Sequence, residues 1–212
     1  FSQYLGIDCR LVKMPPTAPR QVDQTYASAD DSVFYADGFP LLVTNTASLD
    51  ALNAEIAQDA RVDMARFRPN IVISGLDAFE EDTILRLKIG EVELEFAKPC
   101  SRCKITTIDQ KSGLAHASGE PLATLARLRR GKGDGIQGVF FGENAVVRKA
   151  GVIRMGDKVE IILRKPLHHV PAHRQVASSY SFPRLPRGCP LLPPATPRRR
   201  TALRAMTRRA GR

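Results

Sequence analysis

Two of the four cysteines stand three positions apart in Cys100-Ser101-Arg102-Cys103, with Lys98, Arg102 and Lys104 crowded around them. Cationic neighbours favour a thiolate over a thiol, and a thiolate is a nucleophile, a redox group or a soft-metal ligand. The pattern therefore predicts a sulfur that ionises readily, without choosing among those chemistries. A structural zinc site wants four ligands, and the other cysteines, Cys9 and Cys189, stand alone. A thioredoxin-type dithiol needs a helix opening at the motif. Here the following residues, 105–108, are β-branched and read as a strand, and residues 91–96 alternate polar with apolar and read as another. The cysteines are thus expected at a strand junction. Two half-buried cysteines with no chemistry are the plain alternative.

The elements that must position this motif follow from the rest of the chain. Residues 1–31 read as an irregular entrance, interrupted by prolines around residues 15–19, with a short strand possible at Leu11-Val12. Strands are expected over 32–37 and 41–44, around Gly38-Phe39-Pro40, and over 71–74, 84–89, 138–141, 145–148 and 158–163. Helices are expected over 48–57, with Ser48 as N-cap, and over 121–130, with Pro121 in the first position. An acidic loop is expected over 78–83 and a flexible glycine loop over 131–135, which lacks the lysine and hydroxyl of a P-loop. Many short strands and two helices imply a mainly β domain, closed or nearly closed as a barrel.

Charge divides the chain. The net charge is +10, but the segment 166–212 holds ten arginines and no acidic residue, leaving 22 basic residues against 22 acidic ones in 1–165. We read 1–165 as one domain and 166–212 as a disordered Arg/Pro-rich tail. A whole-protein argument for nucleic-acid binding therefore fails; the arginine clusters near residues 199 and 208 offer phosphates charge alone. His168, His169 and His173 fit a solvated polar tract better than a metal site. No apolar run reaches membrane-span length, no signal peptide is evident, and few cysteines suit a reducing cytosol. Phe1 is not an initiator methionine, which fits a sequence that begins part-way through a longer protein.

Residues 66–75 (RFRPNIVISG), then Ile89-Gly90, then 100–109 (CSRCKITTID) and Gly113 resemble a MOSC domain, the module at the C-terminus of molybdenum cofactor sulfurases. Within that family they are similar to the amidoxime-reducing components of mitochondria and their bacterial relatives, over roughly residues 4–165 in the family's motif order. The resemblance implies a β-barrel with peripheral helices. It implies a molybdenum–pterin cofactor with Cys103 as the metal's protein ligand and Cys100 as the less essential sulfur. Arg68, Asn70, Ser101 and Arg102 match the positions that hold the cofactor. Arg68 precedes Pro69, which favours an extended backbone there. Asp37-Gly38-Phe39 match a loop beside the cofactor whose second and third residues are small hydroxyl residues in relatives. Asp37 is a candidate proton donor, or else a turn cap.

The implied activity is reduction of small N-hydroxylated compounds in a bacterial cytoplasm. Related full-length proteins carry a β-rich domain ahead of this region, with basic residues on the cofactor phosphate, and it has no counterpart in these 212 residues. Four cysteines cannot also build a ferredoxin cluster, so electrons are expected from a separate reductase or ferredoxin-type protein. The alternative implied by the same family is a non-catalytic carrier of cofactor or sulfur. No pyridoxal-phosphate lysine site is apparent.

Overall fold

The computed structural model describes residues 1–15, 17–18, 20–131 and 137–165, together with the backbone of 204–207. The flexible glycine loop expected near 131–135, and the histidines and arginine clusters of the tail, lie outside these residues apart from Gly131 and the backbone at 204–207.

A short helix, α1 (Ser2–Leu5), opens the chain, and the described residues from there to residue 40 are otherwise irregular. The first strand, β1 (Leu41–Asn45), is almost wholly buried and runs straight into α2 (Thr46–Ala54). The cap is Asn45, whose Oδ1 accepts from Ala47 N at 3.2 Å, and the helix is shorter than expected. Ser48, the expected cap, lies instead in the core: its hydroxyl meets both oxygens of Glu81 and accepts from Phe79 N at 2.8 Å. α2 is the crossover that lets β2 (Ile71–Ser74) lie parallel to β1, Val43 opposite Ile71.

The remaining pairings are antiparallel. β3 (Ile84–Ile89) and β4 (Val92–Ser101) form a hairpin through Gly90. After α3 (Leu122–Leu128) come β5 (Arg130–Gly131), β6 (Gly138–Lys149), β7 (Val159–Arg164) and β8 (Arg204–Thr207). The sheet runs β7-β3-β4-β6-β1-β2-β8, with β5 paired to β6, and curls as a half-barrel. The mainly β expectation is met. The expected strands at 138–141 and 145–148 are one strand, β6, bent at Gly142 (φ 77°). A Cβ there would lie 2.8 Å from both Val43 O and Thr44 Cγ2, so only glycine lets β1 come that close.

Two expected strands are absent, and the short strand offered at Leu11-Val12 is not formed either. Residues 32–37 make only the single bridge Gln21 to Ser32. The reason is Arg20, whose guanidinium takes the carbonyls of Phe34, Ala36 and Asp37 that a neighbouring strand would need. The run after Cys103 is a 3-10 turn, Lys104–Thr107. Thr106 Oγ1 donates back to Cys103 O at 3.0 Å and Thr107 Oγ1 to Lys104 O at 2.8 Å. These local bonds compete with a sheet ladder and outweigh the β-branched preference.

One apolar cluster fills the curl of the sheet, built on Val43, Ile73, Leu87, Leu94 and Phe96. A second joins Leu52, Leu125, Phe67 and Phe141, whose rings stack at 3.9 Å. The interior also holds an unexpected group of charges. The acidic loop is a 3-10 turn, Glu80–Thr83, that buries Glu81 and Asp82. Asp82 pairs with Arg129, which is 1% exposed, and Glu143 with Lys165 at 2.9 Å. Three carboxyls thus face two cations. Burial, with help from the charge of Asp82, pushes Glu81 up to about 7. Burial, only partly relieved by Lys165, pushes Glu143 up to about 8.

An acid whose folded pKa exceeds its unfolded value binds a proton more tightly when folded. Stability then falls as pH rises from about 4.5 to about 8. Glu143→Gln keeps an acceptor for Lys165 and removes that titration. Its urea midpoint is expected to fall less between pH 5 and pH 8 than that of wild type. Parallel declines in the two proteins would count against a protonated Glu143.

Candidate functional site

The site is built where three segments meet. The first is the end of β4. Cys100 is the last residue but one of the strand, which ends at Ser101, Arg102 N donates to Val139 O at 2.7 Å, and Cys103 caps the turn Lys104–Thr107. Cys103 is exposed and Cys100 half-buried.

The charges around them do not act as the sequence suggests. Lys98 turns away, with its ammonium 4.4 Å from the centre of the Tyr26 ring and 3.5 Å from Asp23. Arg102 places Nη1 2.9 Å from Cys100 Sγ and Nη2 2.7 Å from Phe67 O. Even so, burial pushes the Cys100 thiol up, and the charges of Glu143 and Asp37 add to that against the pull of Arg102. Cys100 is therefore a thiol and not the readily ionised sulfur.

The second segment is the turn Met64–Phe67, capped by Asp63. It ends at Arg68 in the left-handed region (φ 54°, ψ 46°), not the extended backbone expected before proline. Such a conformation costs a non-glycine residue of order 1 kcal/mol and is commonest at functional sites. Arg68 is exposed, and its guanidinium has no partner among the described residues. Asn70 exchanges bonds with Leu42: its N donates to Leu42 O at 3.0 Å and its Oδ1 accepts from Leu42 N at 2.8 Å. That leaves its amide NH2 for a ligand. Arg66 ties this turn to the cysteine turn, reaching Thr107 O at 3.0 Å and Asp109 Oδ2 at 3.2 Å.

The third segment is the loop 35–40, held by Arg20. Asp37 and Gly38 are exposed, and the Asp37 carboxylate caps nothing among the described residues. Phe39 is 6% exposed and packs with Val22, Val33 and Val146. Its side chain serves the core and offers no polar contact.

These segments enclose one cleft of about 310 Å³. Every residue that the resemblance matched to the cofactor site lines it: Cys103, Ser101 and Arg102 from the first segment, Arg68 and Asn70 from the second, and Asp37, Gly38 and Phe39 from the third; Lys98 and Lys104 do not. Cys100, Tyr35, Ile105 and Asn144 join them. Arg20 and Arg66 act from behind the walls. Arg66 sits inside the motif already quoted. Nothing in the sequence marks Arg20, a lone arginine in a polar stretch.

The MOSC domain family model matches residues 30–160, which takes in every residue of this lining. The chain belongs to the MOSC family. It is 38% identical over 162 residues to mitochondrial amidoxime-reducing component 1 of Mus musculus, covering 73% of this chain and 46% of that protein. It is 36% identical over 158 residues to component 1 of Homo sapiens, covering 70% of this chain and 44% of that protein. It is 40% identical over 151 residues to component 2 of Macaca fascicularis, covering 69% and 42% respectively. This MOSC domain thus spans a little under half the length of those relatives. Among its described residues no helix is long and apolar enough to cross a membrane. No group of three or more His, Cys, Asp or Glu side chains there could hold a metal. Cys103 is accordingly a single soft donor, and a metal held by it needs further ligands from elsewhere.

Proposed function

We propose that this MOSC domain binds the molybdenum cofactor, with the Cys103 thiolate on the metal, and takes part in reducing small N-hydroxylated compounds. The observation that carries this is the donor set of the cleft. An exposed thiol stands beside cationic and amide donors that have no protein acceptor. Besides the free Arg68 guanidinium and the Asn70 NH2, Arg102 Nε is buried with no partner among the described residues. A buried donor left unmade costs about 1–3 kcal/mol, which a ligand with acceptor atoms would recover. Soft sulfur at one point and fixed N–H groups around it fit a metal joined to a polar heterocycle and a phosphate.

In this reading Arg68 pairs with the phosphate, and Asn70, Ser101 and Arg102 meet the heterocycle edge. When bound, the molybdenum cofactor supplies the two electrons that break an N–O bond. The substrate R–NH–OH takes up two electrons and two protons to give R–NH2 and water. Asp37, with its carboxylate free in the same cleft, carries protons from solvent to the departing oxygen. Electrons come from a separate reductase or ferredoxin-type protein, in a reducing bacterial cytoplasm. The names of the relatives, amidoxime-reducing components, support amidoximes as the substrate class.

The test is to express the chain in cells rich in the cofactor, measure bound molybdenum, and assay benzamidoxime reduction with an artificial donor. Near-stoichiometric metal with turnover is the expected result. Metal without turnover would move the assignment to a cofactor carrier, and a folded, metal-free protein would end it.

A further inference from the structure

We propose that Arg20 is the positioning residue of this cleft: its guanidinium fork holds the backbone of residues 34–37 so that Asp37 and Gly38 stand in the wall beside Cys103. Arg20 does not itself line the cleft. Nη1 donates to Ala36 O at 2.7 Å and Phe34 O at 3.4 Å, and Nη2 donates to Asp37 O. Its own backbone is fixed by the same fold, since Val33 N donates to Arg20 O at 2.8 Å and Gln21 bridges Ser32.

Little else secures the loop. Residues 34–38 are exposed and carry no regular structure. Among the described residues no loop or turn backbone bond involves residues 34–40. The loop is thus pinned at two places, the Arg20 fork and the buried Phe39 ring. The acceptors are neutral carbonyls spread over four residues, so what matters is the planar, multi-donor shape of guanidinium and not its charge. A lysine ammonium at the end of a flexible stem does not reproduce that fork.

The inference rests on the proposed function only in its catalytic half. Loop opening is read in the ligand-free chain, by chymotrypsin cleavage after Phe34 or Tyr35, which are 66% and 61% exposed, with the fragments identified by mass. In both Arg20→Ala and Arg20→Lys, cleavage there is expected to rise about tenfold, because opening costs fewer hydrogen bonds. The thermal midpoint should move little, the site being on the surface. In the molybdenum-loaded variants, kcat for benzamidoxime is expected to fall about tenfold with KM within about twofold and metal content unchanged, as for a group that acts on the reacting step rather than on binding.

Wild-type cleavage rates in Arg20→Ala would overturn the clamp. Recovery in Arg20→Lys would show that charge suffices and overturn the fork. A freed loop with wild-type kcat would overturn the positioning role. A wild-type protein without molybdenum would sink the proposed function, and the proteolysis arm would then decide the clamp by itself.

Discussion

Cys103→Ala is expected to lose its molybdenum and to reduce benzamidoxime more than about a hundredfold more slowly than wild type. Changes one shell further out from a metal already cost about 10–100-fold, and this change removes the protein's own donor. The fold should not suffer. Cys103 is exposed, and surface changes of this kind shift stability by about 0.5 kcal/mol or less. Cys103→Ser, with a harder oxygen donor, should retain less metal than wild type and more than the alanine variant. The neighbouring sulfur is the control. Cys100 is held as a thiol by burial and already accepts the Arg102 guanidinium. Cys100→Ala should therefore keep most of its metal. Metal analysis of the three purified variants beside wild type checks all of this, and stoichiometric molybdenum in Cys103→Ala would remove the central ligand from the assignment.

What could be read from the chain in advance divides by the range of the forces involved. The sheet was legible because alternation in β3, β4 and β7 is a local property of each strand. The lining of the cleft was legible because its motifs are contiguous: Phe67, Arg68 and Asn70 form one wall and residues 100–103 another, and the family's order places them together. The turn after Cys103 was not, because Ile105-Thr106-Thr107-Ile108 carries a strand-like preference that two hydroxyl back-bonds reverse. The left-handed Arg68 was missed for a similar reason. The restriction imposed by Pro69 is real, but closing the turn Met64–Phe67 with Arg68 N on Ala65 O overrides it. Glu81 and Asp82 read as part of an acidic loop, since an acidic residue is normally outside, and nothing local marks Glu143 as buried. Only the three-dimensional fold brings Arg129 and Lys165 to them, from 47 and 22 residues away.

That buried group carries the largest expected loss of stability. Arg129→Met keeps most of the volume of the side chain and removes its charge. Asp82 would then lie 4% exposed with no cation beside it, next to Glu81 at 0%, and the ring of Phe79 would lose a guanidinium centred 4.3 Å away. Removing one member of a buried pair costs about 3–5 kcal/mol, because the other charge is left without compensation. The loss should be greater at pH 8 than at pH 5, since Glu81, pushed up to about 7, is neutral at the lower pH and adds a second negative charge beside Asp82 at the higher. Arg127→Ala breaks a surface pair with Glu55, whose side chains are 56% and 26% exposed, and should cost about 1 kcal/mol or less. Adding Asp82→Asn to Arg129→Met should recover much of the loss, because a neutral amide does not need the cation. Urea unfolding of these variants at both pH values separates the cases. If Arg129→Met costs no more than Arg127→Ala, the interior charges are already reached by solvent, and the raised carboxyls of Glu81 and Glu143 lose their physical cause along with it.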